Sequence, residues 1–236
     1  MRIFRGILHN ACAFNATQSW GSRRFLTDRR LQYPKFGAPL DVLELSESPE
    51  GISADNLPGD CALLKWLCAP VNPSDLAQIQ GFYGVLPKRF PAVAGMEGVA
   101  TVEKLPTSYG GPIKEGDRVL HLANGQGTWR DRSILPISGL YPVKSGLSDA
   151  QAASLMINPP TAYRLLSDFG DLSAGDWVLQ NGANSHLGRL VGRLARARGI
   201  RVAGVVRERR SEEETAKLVS ELKEDGIELV LTDKEI

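Results

Sequence analysis

The second half of the chain alternates short apolar runs with amphipathic stretches. The apolar runs at 177–180, 201–206 and 228–231 are typical of buried parallel strands, and residues 187–198 and 212–225 between them have helical spacing. This alternation predicts a parallel sheet with crossover helices. A complete doubly wound nucleotide-binding domain has about six strands. We therefore predict the N-terminal half of such a domain over residues 158–236.

The first half of the chain has the patterning of β-structure. Short apolar or alternating runs at 41–45, 60–67, 95–103 and 117–122 predict strands, and the segment 71–91, rich in Pro and Gly, predicts long ordered loops. Ser148 is the predicted N-cap of a first helix over 147–157. Residues 31–157 are therefore expected to form a β-rich, partly opened barrel.

A degenerate dinucleotide-binding loop follows the first strand of the second half. Ala183, Ser185 and Gly188 stand at the small-residue positions of G-x-G-x-x-G, where the backbone can approach a pyrophosphate. The next helix would direct its free N–H groups at the phosphates. The predicted cofactor-binding residues of this loop are Ala183, Asn184, Ser185, His186, Leu187 and Gly188. Because two of the three glycines are replaced, an ordinary strand–helix connection is the alternative.

Two arginines follow the second strand, where an acidic residue usually holds the ribose 2′-hydroxyl of NAD. The segment is Arg207, Glu208 and Arg209, and a guanidinium can bind a 2′-phosphate through a fork of N–H donors. The pair predicts a Rossmann domain that binds NADPH. A solvated charged turn is the alternative, since three glutamates follow at 212–214.

Composition and charge narrow the partners and the location. A formal net charge of +1 gives no bulk attraction to nucleic acid or anionic membranes, and no run reaches the roughly 20 apolar residues of a membrane span. Residues 1–30 hold six arginines against one acid, Asp28, which is typical of a mitochondrial transit peptide. The alternative is a disordered basic tail that carries no targeting signal.

Five segments, in order, resemble the mitochondrial trans-2-enoyl thioester reductases of the medium-chain dehydrogenase/reductase superfamily. They are VNPSDLAQIQGFYGVLP (71–87), AVAGMEGVATV (92–102), GDRVLHLANGQGTWRD (116–131), INPPTAYRLLSDF (157–169) and DWVLQNGANSHLGRLV (176–191). The resemblance implies a GroES-like catalytic domain followed by a Rossmann domain. It also implies NADPH-dependent reduction of 2-enoyl thioesters, carried on CoA or acyl carrier protein, during fatty acid synthesis in the mitochondrial matrix.

The resemblance assigns roles to four further residues. It places Tyr83 at the family's catalytic tyrosine, although a loop tyrosine without this resemblance would be interpreted as packing. It implies that Asn158 contacts the cofactor near the nicotinamide ribose and that Asn72 positions the loop or the substrate. Trp129 is expected to belong to the core or to the wall of a substrate channel.

The same comparison argues against a catalytic metal. Zinc alcohol dehydrogenases of the superfamily have a cysteine near the position of Asn72 and a histidine at the position of Met96, so both ligands are missing here. The three histidines, His9, His121 and His186, are scattered along the chain. We therefore expect no zinc, and polarisation of the substrate by hydrogen bonds instead.

Two other functions remain open at this point. The first is a non-catalytic fragment that acts, if at all, through protein association, and the second is activity like that of the quinone oxidoreductases. Full-length members are expected to form homodimers, whereas the incomplete nucleotide-binding domain argues against a dimer of these 236 residues. We expect the 236 residues alone to be inactive and prone to association.

Overall fold

The structure, a computed structural model, describes residues 25–26, 28–47, 52–53, 57–122, 125, 127–143 and 146–235. The chain divides into two compact units, Met1–Ser154 and Leu155–Ile236. This division lies three residues before the predicted domain boundary at 157. Most of the predicted leader falls outside the described residues.

Short antiparallel strands make up most of the first unit. Its described strands are β1 (Phe25–Leu26), β2 (Arg29–Tyr33), β3 (Glu44–Glu47), β4 (Ile52–Ser53), β5 (Cys61–Cys68), β6 (Ala92–Val93), β7 (Val99–Lys104), β8 (Arg118–His121), β9 (Arg132–Pro136) and β10 (Leu140–Pro142). Its described helices are α1 (Pro39–Val42), α2 (Pro73–Gln80) and α3 (Asp149–Ala153). The strands form a five-stranded sheet β10-β8-β7-β5-β9, a three-stranded sheet β3-β2-β6 and the pair β1-β4. The predicted β-rich unit is confirmed.

Strand β5 is an interior strand of the largest sheet because it can be buried on both faces. Its first four residues are fully buried, and it pairs with both β7 and β9. The indole Nε1 of Trp66 donates to Ser133 Oγ on β9 at 2.9 Å, which satisfies a polar group inside this core.

The beginning of the folded unit differs from the predicted boundary at residue 30. Arg29 and Arg30 belong to β2, and Asp28 is fully buried. The Asp28 carboxylate forms an ion pair with Arg130 and accepts a hydrogen bond from the backbone N–H of Arg132 at 3.1 Å. Residues 28–30 are therefore part of the fold, so the predicted leader extends too far.

The helices of the first unit are the elements that the sequence interpretation misplaced. The predicted strand at 41–45 is wrong in its first half, because Pro39 starts the helix α1 and β3 begins only at Glu44. The predicted loop at 71–91 contains α2. The predicted N-cap is confirmed: Ser148 Oγ accepts from Gln151 N at 3.3 Å, although α3 is shorter than the predicted helix.

The second unit is the predicted parallel sheet with crossover helices. Its described elements are α4 (Asn158–Leu165), β11 (Trp177–Asn181), α5 (His186–Ala197), β12 (Arg201–Val206), α6 (Glu212–Glu224) and β13 (Leu229–Thr232). The strands lie in the order β11-β12-β13, all parallel. The three strands and two connecting helices are where the apolar periodicity predicts them.

The two faces of this sheet have different environments. One face contributes Val202 and Val206 to a core that includes Val191 and Ala195 of α5 and Leu222 of α6. The other face contains three exposed apolar side chains. They are Trp177, Leu179 and Leu229, which are 45%, 69% and 45% exposed. Within the described ranges, no helix has the length and apolar content of a membrane span.

Candidate functional site

The loop after β11 is held against β12 by close backbone packing. Gly182 has a positive φ of 57°, and the N–H of the buried Ala183 donates to the carbonyl oxygen of Val205 at 3.3 Å. Gly204 makes this approach possible, since a Cβ at Gly204 would lie only 2.6 Å from the Cβ of Ala183. The loop therefore takes its position from the neighbouring strand.

The N-terminus of α5 is capped and packed in the same compact way. Ser185 Oγ accepts from Gly188 N at 3.0 Å, which makes Ser185 the N-cap of a 12-residue helix. A Cβ at Gly188 would lie 2.6 Å from the carbonyl oxygen of Ala183, so only glycine fits there. Asn184 is half-buried and His186 is exposed. These contacts build the strand, tight loop and helix that a phosphate site requires.

The predicted arginine segment lies at the same edge of the sheet as this loop. Asn181 at the end of β11 is paired with Val205 on β12, and β12 ends at Val206, directly before Arg207. Because the carboxyl ends of parallel strands meet at one edge, the loop and the arginines lie beside each other.

The three charged residues after β12 differ in their partners. Glu208 forms an ion pair with Lys234, and this hydrogen-bonded partner raises the pKa of the Lys234 ammonium. Arg207 and Arg209 are exposed, and within the described part of the chain neither guanidinium forms an ion pair. Two unpaired positive charges therefore remain at this edge.

Asn158 is the first residue of α4, with prolines following it in the first turn. The prolines fix φ near the helical value and have no N–H to leave unsatisfied there. Asn158 is half-buried. The contact with a cofactor that the sequence analysis assigns to Asn158 stays a prediction.

In the first unit, a buried network anchors the start of α2. Asn72 is the N-cap of α2, and its N–H donates to Asp75 Oδ2 at 2.7 Å. Asp75 Oδ1 accepts from the N–H of Met96 at 2.8 Å, and Asn72 Nδ2 donates to Glu97 Oε1 at 2.8 Å. Burial raises the pKa of the Asp75 carboxyl, although the two backbone hydrogen bonds oppose this. The network ties α2 to the segment before β7.

Tyr83 lies in the loop that follows α2. The helix ends at Gly81, whose φ of 85° is the left-handed conformation, and the N–H of Phe82 donates to Ala77 O at 2.9 Å. Tyr83 is half-buried, and its hydroxyl makes no hydrogen bond to any described residue. Phe82 and Val85 beside it are exposed. The hydroxyl is thus available to a ligand.

Trp129 packs within the first unit. Its indole Nε1 donates to the carbonyl oxygen of Pro70 at 3.0 Å, and its side chain packs against the cluster of Tyr33, Ile79 and Ala94. A Cβ at Gly95 would lie 2.5 Å from Trp129 Cδ1, so the ring fits closely over this glycine. These contacts show that Trp129 packs against the core of the first unit, and its role in a channel wall stays a prediction.

Glu97 and Gln78 are buried polar residues that the sequence analysis does not identify. The partner of Glu97 is Asn72, 25 positions away, and that of Gln78 is the carbonyl oxygen of Val85 in the loop after its own helix, so neither is found from a repeating pattern. The described residues contain no group of three or more His, Cys, Asp or Glu side chains that could hold a metal ion.

Comparisons with known proteins agree with this arrangement. Residues 58–144 match the family of the alcohol dehydrogenase GroES-like domain. The chain is 41% identical over 214 residues to a protein of Caenorhabditis elegans named mitochondrial enoyl-[acyl-carrier-protein] reductase, a match that covers 91% of this chain and 60% of that protein. The chain thus spans about three fifths of the length of this relative.

Solved structures give the same result. The complex of Etr1p with NADP and crotonyl-CoA has a TM-score of 0.82 and 30% identity, and covers 89% of this chain and 61% of its own. The Etr1p/Etr2p heterodimer of the mitochondrial 2-enoyl thioester reductase from Candida tropicalis has a TM-score of 0.81 and 29% identity, with the same coverage. The predicted resemblance and fold class are confirmed.

Proposed function

We propose that this chain, a member of the enoyl-[acyl-carrier-protein] reductase family of the medium-chain dehydrogenase/reductase superfamily, is part of an NADPH-dependent 2-enoyl thioester reductase. It provides the loop that carries Tyr83 and the phosphate-binding loop between β11 and α5. The observation that carries this proposal is Tyr83, a half-buried residue on an anchored loop whose hydroxyl makes no hydrogen bond to the described residues. A hydroxyl in that state is ready to donate to a substrate.

The residues of the second unit fit NADPH. The glycine contacts at Gly188 and Gly204 bring the backbone to the start of α5, where free N–H groups and the helix dipole favour a pyrophosphate. Arg207 and Arg209 would bind the 2′-phosphate, with Glu208 held away by Lys234. Asn158 would contact the nicotinamide ribose. When bound, the cofactor supplies the hydride.

The chemistry of the substrate determines what Tyr83 has to do. Addition of a hydride to the β-carbon of a 2-enoyl thioester moves the π electrons onto the thioester oxygen as an enolate. A proton must then reach the α-carbon to give the saturated acyl thioester. A phenol is protonated at neutral pH, so Tyr83 can donate a hydrogen bond to the oxygen and supply the proton. No metal ion is required for either step.

Asn72 acts on this loop from the other end of α2. Its carboxamide is held by the buried carboxylate of Glu97, which fixes the first turn of the helix that precedes Tyr83. We assign Asn72 to loop positioning in preference to direct substrate contact.

The proposed substrate is a 2-enoyl group on acyl carrier protein or CoA. Support comes from the name of the Caenorhabditis elegans relative and from the crotonyl-CoA bound in the Etr1p complex. We also propose that the protein acts in mitochondria, within the matrix, since the relative is a mitochondrial enzyme. A dimer of the full-length protein is proposed because the Candida tropicalis enzyme forms a heterodimer.

The test is the substitution Tyr83→Phe in the full-length protein. We expect unchanged NADPH affinity and melting temperature but a loss of about 10²–10⁴-fold in kcat with a 2-enoyl-CoA, because the proton donor is gone. Tyr141→Phe is the matched control, since Tyr141 is an exposed tyrosine of the same unit. Wild-type kcat in Tyr83→Phe would show that Tyr83 only packs.

A further inference from the structure

Gln78 is a buried amide that the proposed chemistry does not use. It lies in α2 with 4% of its surface exposed. Burying an amide costs free energy unless it is hydrogen-bonded, so its partner indicates why it is there. That partner is the carbonyl oxygen of Val85, which accepts from Gln78 Nε2 at 2.9 Å.

The same residue holds both ends of the loop that carries Tyr83. The backbone carbonyl oxygen of Gln78 accepts from the N–H of Gly81 at 3.1 Å, where the loop begins. Its side chain holds Val85, where the loop turns away. Tyr83 lies midway between these two points, two residues from each.

Apart from the hydrogen bond from the N–H of Phe82 to Ala77 O, little in the described structure holds the middle of this loop. Phe82 is 86% exposed, and nothing lies within 4 Å of the position of a Cβ at Gly84. A Cβ at Gly125, in contrast, would lie 3.3 Å from Gln78 Nε2, so Gly125 approaches the amide closely, in keeping with the burial of Gln78. A hydrogen bond shielded in this way constrains the loop more than an exposed one.

We propose that Gln78 is a positioning residue, whose amide fixes the loop 81–85 so that the Tyr83 hydroxyl is held where the substrate needs it. The inference rests on the proposed function of Tyr83. Misplacing a reacting group by about 1 Å can cost up to about 100-fold in rate, so a single hydrogen bond at this point is sufficient to matter.

The first test is Gln78→Met in the full-length protein, which removes the donor and keeps the length of the side chain. We expect kcat with a 2-enoyl-CoA to fall about 10-fold while the KM for NADPH stays unchanged. Amide hydrogen exchange of the peptide 81–87 should become faster. The matched control is Gln80→Met, because Gln80 is exposed at the end of the same helix and should leave kcat and exchange unchanged.

Two further variants separate positioning from general stability. In Gln78→Glu the carboxylate cannot donate, but the protonated acid can, so kcat relative to the wild type should rise as the pH falls. In the Tyr83→Phe background, Gln78→Met should lower kcat no further, because both substitutions remove the contribution of the Tyr83 hydroxyl.

The outcomes distinguish this inference from the proposed function. An equal loss of kcat from Gln78→Met with and without the Tyr83 hydroxyl would overturn the positioning role and leave the function of Tyr83 intact. Wild-type kcat in Gln78→Met, together with a reduced kcat in Tyr83→Phe, would have the same meaning. Full turnover in Tyr83→Phe would overturn both. If Gln78→Met does not fold, a flat pH dependence of the kcat ratio in Gln78→Glu would overturn the inference.

Discussion

After β12, the charge of Glu208 is balanced by an ion pair, whereas the charges of Arg207 and Arg209 are not balanced by any described residue. Lys234 takes up the charge of Glu208, and the backbone N–H groups of Glu208 and Arg209 are bound to Asp233 Oδ1 and Thr215 Oγ1, each at 3.1 Å. The backbone of the segment is therefore fixed while the guanidinium groups of Arg207 and Arg209 stay free for a ligand.

Arg207→Ala should lower the affinity of the full-length protein for NADPH but not for NADH. The loss of one charge-assisted hydrogen-bonded pair should cost about 1.5–3 kcal/mol of binding free energy. Titration by nicotinamide fluorescence measures both affinities, and NADH is the internal control because it has no 2′-phosphate. Equal affinities of the wild type for the two cofactors would contradict the assignment.

The sequence identifies those residues of the site that belong to a local pattern. Arg207 and Arg209 are predicted from their spacing after the loop at 183–188, and Tyr83 is predicted from the resemblance of the segment 71–87 to the family. Glu97 and Gln78 are different. The hydrogen bond of Glu97 joins segments that are distant in the sequence, and that of Gln78 depends on the conformation of the loop after α2. Asn72 and Glu97 are 25 positions apart. No spacing rule predicts such a pair from one sequence.

At the scale of elements, α5 and α6 are joined by a charge cluster at the end of α6. Asp225 is the C-cap of α6 and is almost fully buried, a place where the helix dipole disfavours a carboxylate. Burial raises the pKa of Asp225, but hydrogen bonds from Arg189 and Arg193, both 2.7 Å long, outweigh it and lower the pKa. The two arginines thus stabilise the Asp225 carboxylate at the C-terminus of α6.

Asp225→Asn should destabilise the second unit by about 1–3 kcal/mol at pH 7. A lowered pKa in the folded state gives stability that is present above the unfolded value, near 3.9, and is lost as the pH falls through the folded pKa. The difference in the free energy of unfolding between wild type and variant should therefore decrease below about pH 4. Urea unfolding at pH 7 and pH 3 measures it.

Asp171→Asn serves as the control for this experiment, because Asp171 is an exposed aspartate of the same unit. It should change stability by less than about 0.5 kcal/mol at either pH. A difference for Asp225→Asn that stays constant from pH 7 to pH 3 would show that the carboxylate charge does not contribute.

The elements of the second unit are more predictable than those of the first. The runs around β11, β12 and β13 are long and strongly periodic, whereas α1 and α2 are short and begin with proline. Pro73 marks a loop when interpreted alone, but after the N-cap Asn72 it starts a helix. Asn72 and Asp75, three positions apart, form the reciprocal hydrogen bonds of a capping box, and this pair of residues is a helix signal that can be found in the sequence.

At the scale of the molecule, one face of the sheet in the second unit has exposed apolar side chains. Leu179, Ala203 and Leu229 lie side by side on this face, since Leu179 pairs with Ala203 and Ala203 with Leu229. Arg201 covers Trp177 at 4.0 Å from the ring centroid, but Leu179 remains 69% exposed. Adjacent exposed apolar side chains favour association.

The 236-residue chain should therefore self-associate as its concentration rises, and Leu179→Lys should reduce this without loss of stability. A lysine on an edge strand opposes pairing with another chain. Sedimentation velocity over a concentration series measures the association. Leu40→Lys is the control, because Leu40 is 99% exposed in the other unit. A monomeric wild type, or an equal effect of both variants, would contradict this prediction.

The contact of Ala183 with Gly204 also bears on how the protein can evolve or be redesigned. A larger side chain at Gly204 would push the loop away from β12, so the backbone of the proposed pyrophosphate site tolerates little change there. Arg207 and Arg209, three and five residues after Gly204, carry no such restriction, because their side chains are exposed. We therefore expect substitutions at Arg207 and Arg209 to change the preference between NADPH and NADH without altering the packing of the loop on β12.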